Sequence, residues 1–422
     1  MTRLSPAERA RQAGTASKRG KVRKPVNINA RNVANSGAEK FQVFFDRAFK
    51  AQSIHFYRLL GVTLFLVAFG MIMVLSASSI DSLVANNNSL TIFGKQVGAA
   101  LLGLVLLSVA SVMPLSFYRK YARVFFAGAM FLQLLVLFIG KSVNGNRNWL
   151  MIGPFGIQPS EFLKIAVIIA LAWYISENRA DLDIAMTWWK ALGFVVAALA
   201  LVMAGKDLGT VIIMLITFIG LLTLAGLPSR ILLVVSGIMV ASMPILLTGS
   251  RLGRILAWMN PNGPDPLNYN WQAEHGMWAL AAGRIFGSGL GESKMKWSWI
   301  PEVENDFIFA IIGEELGMIG AVGVIALFVF LAFSLLRIMQ RTQDEFNRLI
   351  VAGVMLWIVF QALVNIAVVL RLLPVLGVPL PLISSGGSSL LASLIGLGVV
   401  LAIERDNHAN PIAVRRSVRP RR

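Results

Sequence analysis

The sequence predicts an all-α, polytopic membrane protein of about ten transmembrane helices, with a long extracytoplasmic loop between the seventh and eighth. Three observations carry that fold class. The 422 residues are 56% hydrophobic and 14% charged, where soluble domains run near 25% charged. Mean hydropathy is +0.69, and the apolar residues arrive in runs of about 18 or more, the length a spanning helix needs. Stretches such as 61–75 and 211–224 do not alternate apolar with polar, which argues against a closed β-barrel.

Taken in order, residues 1–39 are polar, basic and rich in Ala, Gly, Ser and Asn, the composition of a disordered tail. No apolar core precedes a cleavage site, so they do not read as a signal peptide. Residues 40–56 place Phe41, Phe44, Phe45, Ala48 and Phe49 at helical spacing. They read as an amphipathic helix in the membrane interface, or as the helical start of the first span. Spans follow over 57–77, 91–112, 122–140, 160–176, 188–205, 208–226, 229–248, 307–335, 349–370 and 381–403. The membrane body is therefore 57–403, with a basic tail over 404–422.

Charge orients it. Residues 1–50 hold 12 basic and 3 acidic residues, and 404–422 hold 6 and 2. An even number of spans puts both tails on one side, and the positive-inside rule makes that side the cytoplasm. Arg119, Lys120 and Arg123, and then Arg337, Arg341 and Arg348, fall on the same side. A membrane surface, not nucleic acid, is the expected partner of the basic tails. The opposite face receives 141–159, 205–209, 249–306 and 371–380. A loop as long as 249–306 is usually functional, so chemistry is expected there.

The chain has no cysteine and three scattered histidines, His55, His275 and His408. That excludes thiolate chemistry and disfavours a histidine metal site. No phosphate-binding loop, dinucleotide fingerprint, kinase set or nucleophile elbow is present. The glycines of 283–291 follow no strand and read as a turn-rich loop.

Asp306 is the last ionisable residue before an apolar run. A carboxylate at a membrane boundary suits a general base, and Asp is also a favoured helix N-cap. Glu314 and Glu315 lie inside the following span, where acids are costly and functional by default. At about 100° per residue they sit about 80° and 180° around the axis from Asp306. One is expected to help the site and the other to pair with a neighbouring helix, unless both are structural. Glu161 and Lys164 can pair at i,i+3, or Arg147 and Lys164 can face an anion. Asp207 reads as a helix N-cap or a site residue. Ser384, Ser385 and Gly386 head a small-residue stretch that suits close helix packing or an anion held by free N–H groups. Arg254 and Lys296 lie among the aromatics of the long loop.

Together these segments resemble the SEDS family (shape, elongation, division and sporulation), the FtsW/RodA membrane glycosyltransferases. The matching stretches are NGNRNW…GIQPSEFLK, KDLGT, RILAWMNP, MKWSWIPEVENDFIFAIIGEELG and LPVLGVPLPLISSGGSSLL, between Asn144 and Leu391. The wording is closer to the division-type branch than to the elongation type, and the long basic amino-terminal tail is similar to actinobacterial members. The resemblance implies polymerisation of lipid II, onto a glycan linked to undecaprenyl pyrophosphate, at the outer face of the plasma membrane and at the division septum. It also implies a class B penicillin-binding protein transpeptidase and other divisome proteins as partners. In that family the aspartate of the DFIF motif is essential, which is Asp306 here. Arg147, Glu161, Lys164, Glu314 and Glu315 fall on motif positions. Asn148, Lys206, Ala367, Arg371 and Ser385 depart from the common pattern.

The expected chemistry is an inverting transfer with Asp306 as base. The departing diphosphate needs cations, for which Arg147, Lys164, Arg254 and Lys296 are candidates in that order. A divalent ion, Mg or Mn, would suit the same role, though no ligand cluster marks a site. A lipid II flippase and a noncatalytic division scaffold are the competing readings.

Overall fold

The computed structural model describes residues 52–409, except 144–145, 154, 247–249, 262, 264, 266 and 298. The tail at 1–39, most of the helix expected over 40–56, and 410–422 lie outside the described residues.

Twelve α-helices and one small sheet form among these residues. Helix α1 (Ile54–Asn86) starts where Ser53 Oγ accepts the Phe56 N–H, and stops where Asn87 turns left-handed at φ 51°. Helices α2 (Thr91–Val112) and α3 (Leu115–Ile139) follow, split by Pro114 at the start of α3. Strands β1 (Lys141–Val143), β2 (Asn146–Ile152) and β3 (Phe155–Ile157) make an antiparallel sheet in that order. The sheet is an addition to the helical body expected from sequence. Its signal was the Gly153 turn, at φ 60°, between two short apolar runs.

Helix α4 (Pro159–Glu177) opens on proline, whose missing N–H costs nothing in a first turn. Next come α5 (Ala185–Ala204), α6 (Leu208–Leu224) and α7 (Ser229–Leu246). The long loop contains two helices of its own, α8 (Ser250–Met259) and α9 (Trp271–Gly283). The last three are α10 (Ile308–Arg341), α11 (Glu345–Val369) and α12 (Gly387–Ala409). The tenth span was expected from 381. It begins six residues later because Pro379, Pro381 and a left-handed Leu382 (φ 67°) keep 370–386 irregular.

Among the described residues, eight helices are long and apolar enough to cross a membrane; α6 and the described part of α7 are apolar but shorter. The chain is a multi-pass membrane protein. Helices α4, α11 and α12 are apolar all round and buried along most of their length, so they form the bundle interior. Helix α12 packs on α2, α3 on α4, α6 on α11 and α9 on α10.

The two ends of the bundle differ. At one end Ser53 Oγ donates to Glu404 at 2.6 Å, Arg119 pairs with Asp344 at 2.7 Å, and Arg179 pairs with Glu345. That end carries the start of α1 and the close of α12. The sheet, α8, α9 and segment 370–386 gather at the other.

The glycine-rich loop after α9 has a packing role. Helix α10 breaks at Gly317, φ 69°, where an added Cβ would lie 2.4 Å from Gly287 N and Ile285 O. The loop backbone fills the break: Ser288 N–H donates to Glu314 O, and Arg284 O accepts from Met318 N–H, both at 2.9 Å. Only glycine allows so close a backbone approach.

Candidate active site

A polar cavity of about 480 Å³ opens at the sheet-bearing end. Its walls come from β2, the turn before α6, α8, the start of α9, residues 301–306, and the two sides of segment 374–389. These pieces are far apart in sequence, and the bundle brings them together.

Asp306 lies on this wall, half-buried, one residue before the N-cap of α10. That cap is Phe307, with no side-chain capping bond. The Asp306 carboxylate is therefore not used to start the helix. Its backbone is clamped instead. Asn365 of α11 donates from Nδ2 to Asp306 O at 2.8 Å and to Val378 O at 2.7 Å. One amide thus holds the Asp306 turn against the 376–379 segment. Gly377 stands beside the acid, since a Cβ there would lie 3.6 Å from Asp306 Oδ2. Burial pushes the Asp306 carboxyl up to about 7, helped by the negative charges of Glu302, Asp207 and Glu304 and opposed by Arg254. Such an acid sits near the pKa at which a general base works best at neutral pH.

Asp207 also lines the cavity, but its oxygens are taken. Oδ1 accepts from Thr210 N at 3.0 Å, and Oδ2 from Thr210 Oγ1, Asn148 Nδ2 and Gln158 Nε2 at 2.9–3.0 Å. It caps α6 and ties the sheet to it.

The cations divide. Arg254 lines the cavity and is exposed to it. Arg147 is not part of the lining. Neighbours Asn146 and Asn148 on β2 face inward, so the strand's alternation turns Arg147 away, and its guanidinium donates to Leu137 O at 3.1 Å. Lys164 is buried inside the bundle, 2.9 Å from both Glu161 Oε1 and Gln361 Oε1 and over the Trp357 ring at 4.9 Å. Glu161 and Lys164 are thus an internal ion pair. Gln361 passes that network on, donating from Nε2 to Pro379 O at 3.0 Å. Lys296 is likewise buried outside the cavity, 3.5 Å from Glu315 Oε1 and donating to Gly291 O.

Both acids of α10 hold the long loop in place. Glu314 accepts from Ser293 Oγ at 2.5 Å and Lys294 N at 2.8 Å; Glu315 accepts from Ser76 Oγ at 2.6 Å. Neither is among the residues lining the cavity, which favours the alternative that both are structural. Ser384 is buried with Oγ accepting from Leu380 N at 2.8 Å, whereas Ser385 and Gly386 line the cavity.

Sequence reasoning did not single out Gln158 and Arg251 on this wall, and noted Asn148 and Lys206 only as departures from the family pattern. It also passed over the Asn365 clamp, although a buried amide in a spanning helix is itself a signal. Among the described residues no three carboxylate or imidazole groups converge as a metal site. The positive groups on the wall are Lys206, Arg251 and Arg254.

The comparisons agree with this architecture. A family model described as the cell cycle protein family FtsW/RodA/SpoVE matches residues 57–409. A Mycobacterium tuberculosis protein named probable peptidoglycan glycosyltransferase FtsW is 39% identical over 87% of this chain and 71% of its own. Stage V sporulation protein E of Bacillus subtilis is 34% identical over 82% and 95%. A chain from the structure described as "Structural coordination of polymerization and crosslinking by a peptidoglycan synthase complex" superposes with a TM-score of 0.70 at 26% identity, over 85% of this chain and 99% of that one. The Thermus thermophilus rod shape determining protein RodA gives 0.63 at 27%, with the same coverage. A ten-segment helical body, a DFIF acid set on a polar cavity and a family match across 57–409 converge on one conclusion: this chain belongs to the FtsW/RodA/SpoVE family, the SEDS proteins.

Proposed function

We propose that this chain is a peptidoglycan glycosyltransferase that polymerises lipid II into β-1,4-linked glycan strands, in the division role of its FtsW-named relatives. The observation that carries the mechanism is Asp306: a carboxyl on the wall of a polar cavity, unused as a helix cap, held up to about 7 by burial and neighbouring acids.

In this reading Asp306 takes the proton from the 4-hydroxyl of the acceptor GlcNAc. That oxygen attacks the anomeric carbon of the MurNAc on the growing strand. The C–O bond to undecaprenyl diphosphate breaks, and the leaving group takes the electron pair. A single displacement inverts the α-linked donor to a β bond. Arg254 faces the site where negative charge develops, with Lys206 and Arg251 on the same wall.

Arg119, Lys120 and Arg123 near the start of α3, with Arg337, Arg341 and Arg348 on either side of the α10–α11 turn, lie at the end carrying the start of α1. With that end cytoplasmic, the cavity opens to the outside, where lipid II is consumed and the septum is built. A class B penicillin-binding protein is the expected partner, in keeping with the synthase complex described for the structural relative.

The test is lipid II polymerisation by purified protein with its transpeptidase partner, wild type against Asp306→Asn. A flippase would need two compartments, whereas a polymerase forms glycan in detergent alone.

A further inference from the structure

The diphosphate's place in this cavity follows from the first turn of α12. This inference rests on the glycosyltransferase reading and adds to it. Helix α12 runs 23 residues, and its first internal bond is Leu390 N–H to Gly386 O at 2.8 Å. The amides of Gly387, Ser388 and Ser389 therefore have no acceptor among the described residues. The residue before the helix is Gly386, which has no side chain with which to cap them. Ser388 cannot substitute: its Oγ is occupied by Gln158 N at 3.0 Å and Gly156 O at 3.4 Å. All four residues line the cavity.

A second observation points to a ligand. Ser389 is 6% exposed, and its hydroxyl has no partner among the described residues. Buried hydroxyls are rarely left so. The charged groups on the wall balance in number, Lys206, Arg251 and Arg254 against Asp207, Glu302 and Asp306. Side-chain charge alone thus does not fix where an anion settles. Three uncapped amides at the positive end of a long helix do.

The geometry points to a diphosphate subsite formed by the amides of Gly387, Ser388 and Ser389 with the Ser389 hydroxyl, completed by Arg254. Its ligand is the diphosphate of a polyprenyl carrier, donor or departing product.

The test removes one amide at a time. Proline is tolerated in the first helical turn, so Gly387→Pro deletes a donor and keeps the helix. Gly387→Ala is the control: it keeps the N–H, and its Cβ would only touch Ala99 Cβ at 3.4 Å. Binding is measured on the full chain carrying Asp306→Asn, in nanodiscs, by tryptophan fluorescence. The probes are undecaprenyl diphosphate, undecaprenol and inorganic pyrophosphate.

Undecaprenyl diphosphate should bind at least tenfold tighter than undecaprenol. Gly387→Pro should weaken it about tenfold, the worth of a charge-assisted hydrogen bond, and Gly387→Ala less than twofold. Ser389→Ala should weaken it about fivefold. Competition by inorganic pyrophosphate would show a site for the anion itself; its failure with undecaprenyl diphosphate still bound would show a site that needs the lipid as well. Equal affinity for undecaprenol overturns the proposal, as does equal behaviour of the proline and alanine variants. If Gly387→Pro does not fold, Ser389→Ala decides, and unchanged binding there overturns it. Because the readout is binding without turnover, it is independent of whether Asp306 proves to be the base.

Discussion

Asp306→Asn separates a base from a structural residue, because the two roles move stability and rate in opposite senses. Asparagine is nearly isosteric, and the start of α10 takes no bond from this side chain. The Asn365 clamp reaches the backbone carbonyl, which the substitution leaves in place. The electrostatic consequence has a definite sign. An ordinary aspartate ionises near 3.8, and this one is pushed to about 7. The unfolded chain therefore loses its proton first, and folded stability falls as pH rises between those values, staying lower above about 7. At about 1.4 kcal/mol per decade the full difference is about 4 kcal/mol, reduced to about 2–3 by contact with the aqueous cavity. Asparagine removes that cost. At pH 8 the variant should melt at or above the wild-type temperature, while losing the 10²- to 10⁴-fold that a general base typically contributes. The assay pairs a thermal melt of the purified protein with initial rates of lipid II polymerisation from pH 5.5 to 9. Wild-type rates should rise through about pH 7. A variant that melts lower yet polymerises within a fewfold of wild type would refute the reasoning and leave Asp306 structural.

Other consequences follow from the same contacts. Arg254→Gln should raise the midpoint of the wild-type pH–rate profile, because the guanidinium is the group that opposes the Asp306 shift; Arg147→Gln, whose side chain leaves the cavity, should stay within about threefold of wild type, less than about 0.7 kcal/mol. Lys164→Met should destabilise the bundle by about 3–5 kcal/mol by stranding buried Glu161, and Lys164→Met with Glu161→Leu should recover most of the loss in a thermal melt. Asn365→Ala frees the Asp306 turn from the 376–379 segment, so polymerisation by folded protein should drop at least tenfold, one lost positioning contact of about 1.4 kcal/mol. The pH–rate midpoint should fall with it as the acid gains water and moves away from Glu302, Glu304 and Asp207; loss of stability with an unchanged profile would make Asn365 merely structural.

Much of this protein was legible before any coordinates. Runs of apolar residues set the helical body because a backbone in lipid has to satisfy its own hydrogen bonds. Local start signals also held: Pro159 opens α4, and Asp207 caps α6. These are short-range effects written in neighbouring residues. The two helices inside 249–306 and the sheet over 141–157 were less visible, since neither is apolar over a long run.

The division of the charged residues was not local at all. The sequence ranks Arg147, Lys164, Arg254 and Lys296 in that order as cations for the diphosphate, and leaves open whether one of Glu314 and Glu315 serves the site or both are structural. Which of them meets water depends on strand alternation at β2, on Gln361 reaching Lys164 from α11, and on the glycine loop that seats Ser293 and Lys294 on Glu314. Sequence alone determined that this chain crosses the membrane many times and carries an acid at the mouth of a helix. Only the packing of distant helices decided that this acid stands unneutralised in a polar hollow while its apparent companions spend their charge inside the protein, because a buried ion is tolerable only with a partner and partners come from elsewhere in the chain.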